Sequence, residues 1–137
     1  MRVLVLHTDD APIKKSAELF KNALEKEGVR VELISPQAAA SSPVSAAPFG
    51  LVCVLTGYRG WWKPQLPSEM DNLLKKVMRL EGKKGGAFVK PGPLGSTKAL
   101  RVLMSHMERQ GVIVEDFGTI SGGQDAIAIA KRLKGLL

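Results

Sequence analysis

The sequence predicts an α/β domain built in three layers, α/β/α, on a five-stranded parallel sheet with strand order 2-1-3-4-5. Three observations carry that prediction. Strand-length runs of Val, Ile and Leu alternate five times with longer amphipathic segments, a pattern that gives parallel strands joined by right-handed crossovers. The most apolar run, Gly50–Thr56, has no polar face and reads as a central strand covered on both sides. The chain has 137 residues, 45% hydrophobic and 24% charged, the size and composition of one globular domain, 1–137, with a real core. A five-stranded chain of this length most often takes the doubly wound order given above.

Taken in order, Arg2–His7 reads as the first strand. Asp9 or Asp10 is placed to cap the helix that follows, and Pro12 is tolerated in a first helical turn. That helix carries Ile13, Ala17, Phe20 and Leu24 on one stripe, with Gly28 just past its end. Val29–Ile34 is the second strand, and the Pro/Ala/Ser-rich stretch Ser35–Pro48 is a crossover holding at most a short helix. After the central strand comes a loop rich in Gly, Pro and aromatics, Gly57–Pro67. Ser68-Glu69-Met70-Asp71 resembles a capping box for a helix bearing Met70, Leu73, Leu74, Val77 and Met78, which Gly82 ends. Gly85–Lys90 is the fourth strand. Ser96 is expected to cap a helix carrying Leu100, Leu103, Met104 and Met107, stopped by Gly111. Val112–Phe117 is the fifth strand, and Ser121-Gly122-Gly123-Gln124 is read as the capping box of a last helix with Ile127, Ala130 and Leu133 inward.

The formal net charge of +7 is confined to one third of the chain: residues 59–109 hold eleven Lys/Arg against four Asp/Glu, while the two flanking segments are balanced. A local positive field attracts anions, whether a phosphate-bearing ligand or an acidic protein surface. Lys75, Lys76, Arg79, Lys83 and Lys84 also suit a plain solvated helix face. Single-strand binders interleave basic and aromatic residues. Here only Tyr58-Arg59-Gly60-Trp61-Trp62-Lys63 does so, which argues against nucleic acid as the partner. One cysteine, Cys53, allows no internal disulfide, and neither His7 nor His106 has a ligand spacing. The longest apolar runs, such as Leu51–Leu55, fall far below the roughly 20 residues of a membrane-spanning helix. The first apolar stretch is too short for a secretory signal and runs directly into Asp9-Asp10. With a lone thiol, the cytoplasm is the expected compartment.

In an open doubly wound sheet, ligands bind at the carboxyl ends of the strands, beside the point where the strand order reverses. For the order 2-1-3-4-5 that crevice is built from His7–Ile13, Thr56–Pro67 and Lys90–Ser96. The first loop opens a helix, whose amides suit an anion. The second supplies flat rings, Tyr58, Trp61 and Trp62. In the third, Pro91-Gly92-Pro93-Leu94-Gly95, glycines permit close backbone approach, although they serve equally as turn residues. The tryptophans serve equally as packing for the sheet rim or a second subunit.

These segments resemble a flavodoxin-like domain over nearly the whole chain. The resemblance is carried by Arg2–Leu6 with its helix to Gly28, by Leu51–Gly57, and by the strand, glycine loop and helix of Ala87–Leu100. It implies FMN as cofactor and electron transfer as role, with the phosphate at the first loop and the isoalloxazine ring between the second and third. Carried over, the cofactor-binding positions are Thr8, Asp10, Thr56, Gly57, Tyr58, Arg59, Trp61, Trp62, Lys90, Gly92, Pro93 and Gly95. The family's phosphate loop reads [Ser/Thr]-x-[Ser/Thr]-Gly-x-[Ser/Thr]. This chain has Thr8-Asp9-Asp10-Ala11-Pro12-Ile13, in which only Thr8 agrees. An ionised carboxylate donates no hydrogen bond. Two unit charges about 4 Å apart repel by about 4 kcal/mol at an effective dielectric near 20. Arg59 and Lys90 are the nearest basic residues that could hold a phosphate elsewhere.

Asp9-Asp10 also resembles the acidic pair of response-regulator receivers. Those domains need an acceptor Asp after the third strand and a Lys after the fifth, where this chain has Leu55-Thr56-Gly57 and Gly118-Thr119-Ile120. No nucleophile elbow, Walker loop, dinucleotide fingerprint or His-Glu-x-x-His occurs. Two functions stay open. One is a flavodoxin-like electron carrier holding FMN or a similar planar ligand. The other is a cofactor-free binding or assembly module, whose Trp pair and basic 59–109 stretch contact an acidic protein partner or a second copy.

Overall fold

The computed structural model describes residues 1–137. Its sheet runs β2-β1-β3-β4-β5, every neighbouring pair parallel. The strands are β1 (Arg2–His7), β2 (Arg30–Ile34), β3 (Leu51–Thr56), β4 (Lys84–Val89) and β5 (Ile113–Thr119). The helices are α1 (Ala11–Lys26), α2 (Pro36–Ser41), α3 (Ser68–Lys76), α4 (Ser96–Arg109) and α5 (Gly123–Lys134). No helix is long and apolar enough to cross a membrane.

The period-two geometry of a strand splits the core into two layers. Leu51, Cys53 and Leu55 of β3 face α1 and α5, joining Ile13, Phe20, Ile129 and Leu133, whereas Val52 and Val54 face Met70, Leu73 and Leu103 of α3 and α4. All six residues of β3 are buried, which is why it reads as one unbroken apolar run. The outer strands β2 and β5 are only half covered. Phe20 and Phe88 meet at a ring separation of 5.5 Å across the α1 layer.

Several expected details differ. α3 ends at Lys76, because the chain turns extended at Val77 and Met78 forms a parallel bridge with Ser45. Val77 stays buried but Met78 is exposed. Ile127 is exposed as well; the inward face of α5 is Ala126, Ile129, Ala130 and Leu133.

The expected caps are also rearranged. Asp10 occupies the N-cap of α1 but makes no side-chain cap bond. Pro67 and Gly95, not Ser68 and Ser96, precede α3 and α4. At α5 the direction is reversed: Asp125 accepts from the Ser121 amide at 3.0 Å and hydroxyl at 2.6 Å. Lys83 and Lys84 leave the solvated helix face assigned to them. Lys83 Nζ donates to the carbonyls of Ala47 and Phe49, and Lys84 Nζ to that of Leu136.

Candidate functional site

Strands β1, β3 and β4 end side by side, with His7 in register with Leu55 and Thr56 with Val89. Because β2 lies on one side of β1 and β3 on the other, the chain leaves β1 and β3 in opposite directions and a crevice opens there. The following segments enclose a cavity of about 480 Å³. Asp10, Pro12 and Ile13 line it from the first loop, Gly57, Tyr58, Gly60 and Trp61 from the second, and Lys90, Pro91, Gly92, Pro93 and Leu94 from the third. That volume lies within the roughly 300–1,000 Å³ of small-molecule sites.

The second loop is pinched at its base. Arg59 and Gln65 exchange both backbone hydrogen bonds, at 3.0 and 2.9 Å, which projects Gly60–Pro64 as a tight excursion. Trp61 and Trp62 stand on it edge to face, 5.8 Å apart, and are 59% and 66% exposed. Trp61 lines the cavity; Trp62 lies outside it with the Lys98 ammonium 5.1 Å from its ring centroid.

The third loop is held by Tyr58. Its hydroxyl donates to the Leu94 carbonyl at 2.7 Å and accepts from the Gly92 amide at 3.2 Å, with Ser96 Oγ at 3.1 Å. Gly92 is required for this contact, since a Cβ there would lie 2.8 Å from the hydroxyl oxygen. Gly95 is required on two counts: its φ is +90°, and a Cβ would come within 3.1 Å of the Trp61 backbone. Ring and loop are thus fixed together before any ligand arrives.

The first loop has the opposite chemistry. Thr8 is buried and its hydroxyl donates to Asp10 Oδ1 at 2.7 Å, so its one proton is committed. Pro12 contributes no amide. Asp9 holds its Oδ1 buried without a hydrogen-bond partner. Behind them, His7 is buried with Nδ1 2.9 Å from the Thr8 carbonyl.

Of the positions expected from sequence, Asp10, Gly57, Tyr58, Trp61, Lys90, Gly92 and Pro93 come together on the cavity. Thr8 and Thr56 are buried and do not line it, Thr56 donating to the Gly57 carbonyl at 2.9 Å. Arg59 is exposed and acts here through its backbone. Gly95 lines an adjoining groove with Ser96, Thr97 and Lys98. The reading from sequence did not single out Pro12, Ile13, Gly60 and Pro91, which carry no reactive group; their place inside the three loops was the only signal.

The flavin's two ends fare differently against these residues. Apolar and flat surfaces from Ile13, Tyr58, Trp61, Pro91 and Leu94 suit a planar ring. The start of α1 does not suit a phosphate, for it offers carboxylates, a spent hydroxyl and a proline where an anion needs donors. A helix N-terminus favours a negative charge by about 0.3–1 kcal/mol. A carboxylate about 4 Å away opposes it by about 1 kcal/mol in water and about 4 kcal/mol at an effective dielectric near 20. The repulsion wins.

A strand-end cavity at the reversal point of a five-stranded 2-1-3-4-5 sheet defines a flavodoxin-like domain. Solved structures agree over the whole chain. A flavodoxin from Streptococcus pneumonia TIGR4 superposes with a TM-score of 0.74 at 16% identity, covering 100% of both chains. Flavodoxin 1 from Bacillus cereus gives 0.71 at 13% identity, covering 100% of this chain and 99% of that one. The Fusobacterium nucleatum flavodoxin bound to flavin mononucleotide gives 0.68 at 12% identity, covering 99% and 98%. No protein-family model and no curated protein sequence matches the chain. What is common is the fold.

Proposed function

We propose that this protein is an electron carrier that binds a planar flavin-type ring in the strand-end cavity. The observation that carries this reading is the convergence of Tyr58, Trp61 and Pro91–Leu94 on one cavity of about 480 Å³, at the place where doubly wound sheets hold their ligands. Flavodoxins of matching fold, one of them bound to flavin mononucleotide, support it. When bound, a flavin ring supplies reversible electron-transfer chemistry. The chain's own residues supply the rest. Tyr58 and Trp61 offer ring faces, the Tyr58 hydroxyl keeps the third loop in place, and the half-buried Lys90 brings positive charge to the cavity wall.

An electron carrier needs protein partners. Trp62 outside the cavity, with Lys98 against it and Arg59 and Lys63 in the same loop, offers them an aromatic and basic rim suited to an acidic surface. The same rim supports the second reading, a cofactor-free binding module. The test is retention. Protein mixed with riboflavin or FMN and then desalted is expected to keep near-ultraviolet and blue absorption at one flavin per chain. Trp61→Ala is expected to weaken binding by about 1 kcal/mol, the scale of an aromatic pair. Desalted protein that stays colourless with both flavins contradicts the electron-carrier reading.

A further inference from the structure

We infer that the cavity discriminates by the charge of its ligand's tail, taking a flavin whose tail is an uncharged polyol, such as riboflavin, in preference to the phosphate-terminated form. The inference rests on the ring-binding reading above and deepens it. Only one helix begins within the cavity wall: Asp10, Pro12 and Ile13 of the α1 start line it, while the α4 start, Ser96–Lys98, lines the groove next door. A tail that runs to this end of the cavity meets Asp10 and Pro12, while the one cation of the wall, Lys90, stands on the third loop.

Two features on the wall, at Asp10 and Pro12, and two behind it, at Thr8 and Asp9, disfavour an anion. Asp10 lines the cavity with a carboxylate. The Thr8 hydroxyl, the loop's natural donor, is turned onto Asp10 Oδ1 at 2.7 Å. Pro12 removes an amide from the first turn of the helix. Asp9 adds a second carboxylate, one oxygen of which is buried and unpartnered. The same features suit a polyol. Asp10 Oδ1 is occupied by Thr8, and Oδ2 remains to accept a ligand hydroxyl, which an ionised carboxylate does well.

Titration calorimetry of the intact chain with riboflavin and with FMN tests this. Riboflavin is expected to bind at least about tenfold more tightly. The gap is expected to narrow as salt rises from about 0.01 M to about 1 M, because the Debye length falls from about 30 Å to about 3 Å. Asp10→Thr combined with Ala11→Gly is expected to restore FMN to within a few-fold of riboflavin. Asp10→Asn, which keeps the shape of the loop, serves if the double variant fails to fold. FMN binding as tightly as riboflavin overturns the inference and leaves ring binding intact. So does a loss of FMN but not riboflavin in Lys98→Ala or in Lys90→Ala, which would put the phosphate at α4 or on the third loop. Failure of both flavins to bind a folded protein removes the ring reading itself, and the inference with it.

Discussion

The hydroxyl of Tyr58 donates to the carbonyl of Leu94 at 2.7 Å, joining two loops that lie 36 residues apart in sequence. With the Gly92 amide and Ser96 Oγ on the same oxygen, one side chain fixes the wall of the cavity and the entry to α4. Tyr58→Phe keeps the ring and removes the latch. It is expected to lower stability by about 1 kcal/mol in urea unfolding, the net worth of a typical hydrogen bond. Amide exchange is expected to accelerate at Gly92–Ser96 and not in β3. Unchanged exchange in that loop would show that the prolines alone hold it.

Gly95 tests the same wall from the backbone. A left-handed φ of +90° disfavours an L side chain by about 1–2 kcal/mol. A Cβ would also press on the Trp61 backbone at 3.1 Å. Gly95→Ala is expected to lose at least that much stability and to alter the near-ultraviolet dichroism of the tryptophan pair. A variant as stable as the parent with an unaltered spectrum would contradict the packing described.

Between α3 and α4, Asp71 accepts from Lys75 at 3.1 Å and lies 3.0 Å from His106 Nδ1. The Lys75 hydrogen bond first, then the charges of Lys75 and His106, hold its carboxyl below the usual 3.8. Because the folded-state value is the lower one, the stabilisation is present above the unfolded value and fades as pH falls through the folded one. Asp71→Asn is therefore expected to be less stable than the parent at neutral pH by no more than about 1 kcal/mol, since the pair is largely solvated. That difference is expected to shrink in acid, as followed by thermal melts across pH. A difference that stays constant into strong acid would assign the loss to something other than ionisation.

Cys53 lies at the centre of β3 with no exposed surface, and burial pushes its thiol far above the ordinary range. A thiol-specific disulfide reagent is expected to leave the native protein untouched and to react fully in denaturant. Rapid labelling of the native state would mean that β3 opens locally.

Strand order and the three converging loops were legible from sequence because they follow from periodicity. β1 and β3 are unbroken apolar runs, and an alternating chain admits few ways to wind a sheet. The caps were less legible, because Ser, Thr and Asp have several competing uses. Ser96 turns to Tyr58, far away in the chain, rather than to a helix amide, and Asp10 at the α1 N-cap accepts from its near neighbour Thr8 instead. The inward face of α5 was misassigned for a related reason. Ile127 and Ile129 are the same residue type two positions apart, and only the helix phase, which packs Ile129 with Ala126, Ala130 and Leu133, sends one inward and the other to the surface. In the site, Trp61 and Trp62 are indistinguishable as letters. In the structure both stand on the excursion closed by the Arg59–Gln65 pinch, Trp61 on the cavity and Trp62 outside it.

Ring binding by the three loops, with Trp61 in the cavity wall, can be read from a single indole. Trp62→Phe leaves Trp61 as the sole indole, so its fluorescence reports on the cavity directly. Titration with riboflavin is expected to quench that fluorescence saturably, with one equivalent bound per chain. Fluorescence that stays constant at saturating riboflavin and FMN, in a variant whose far-ultraviolet dichroism matches the parent, would contradict the account.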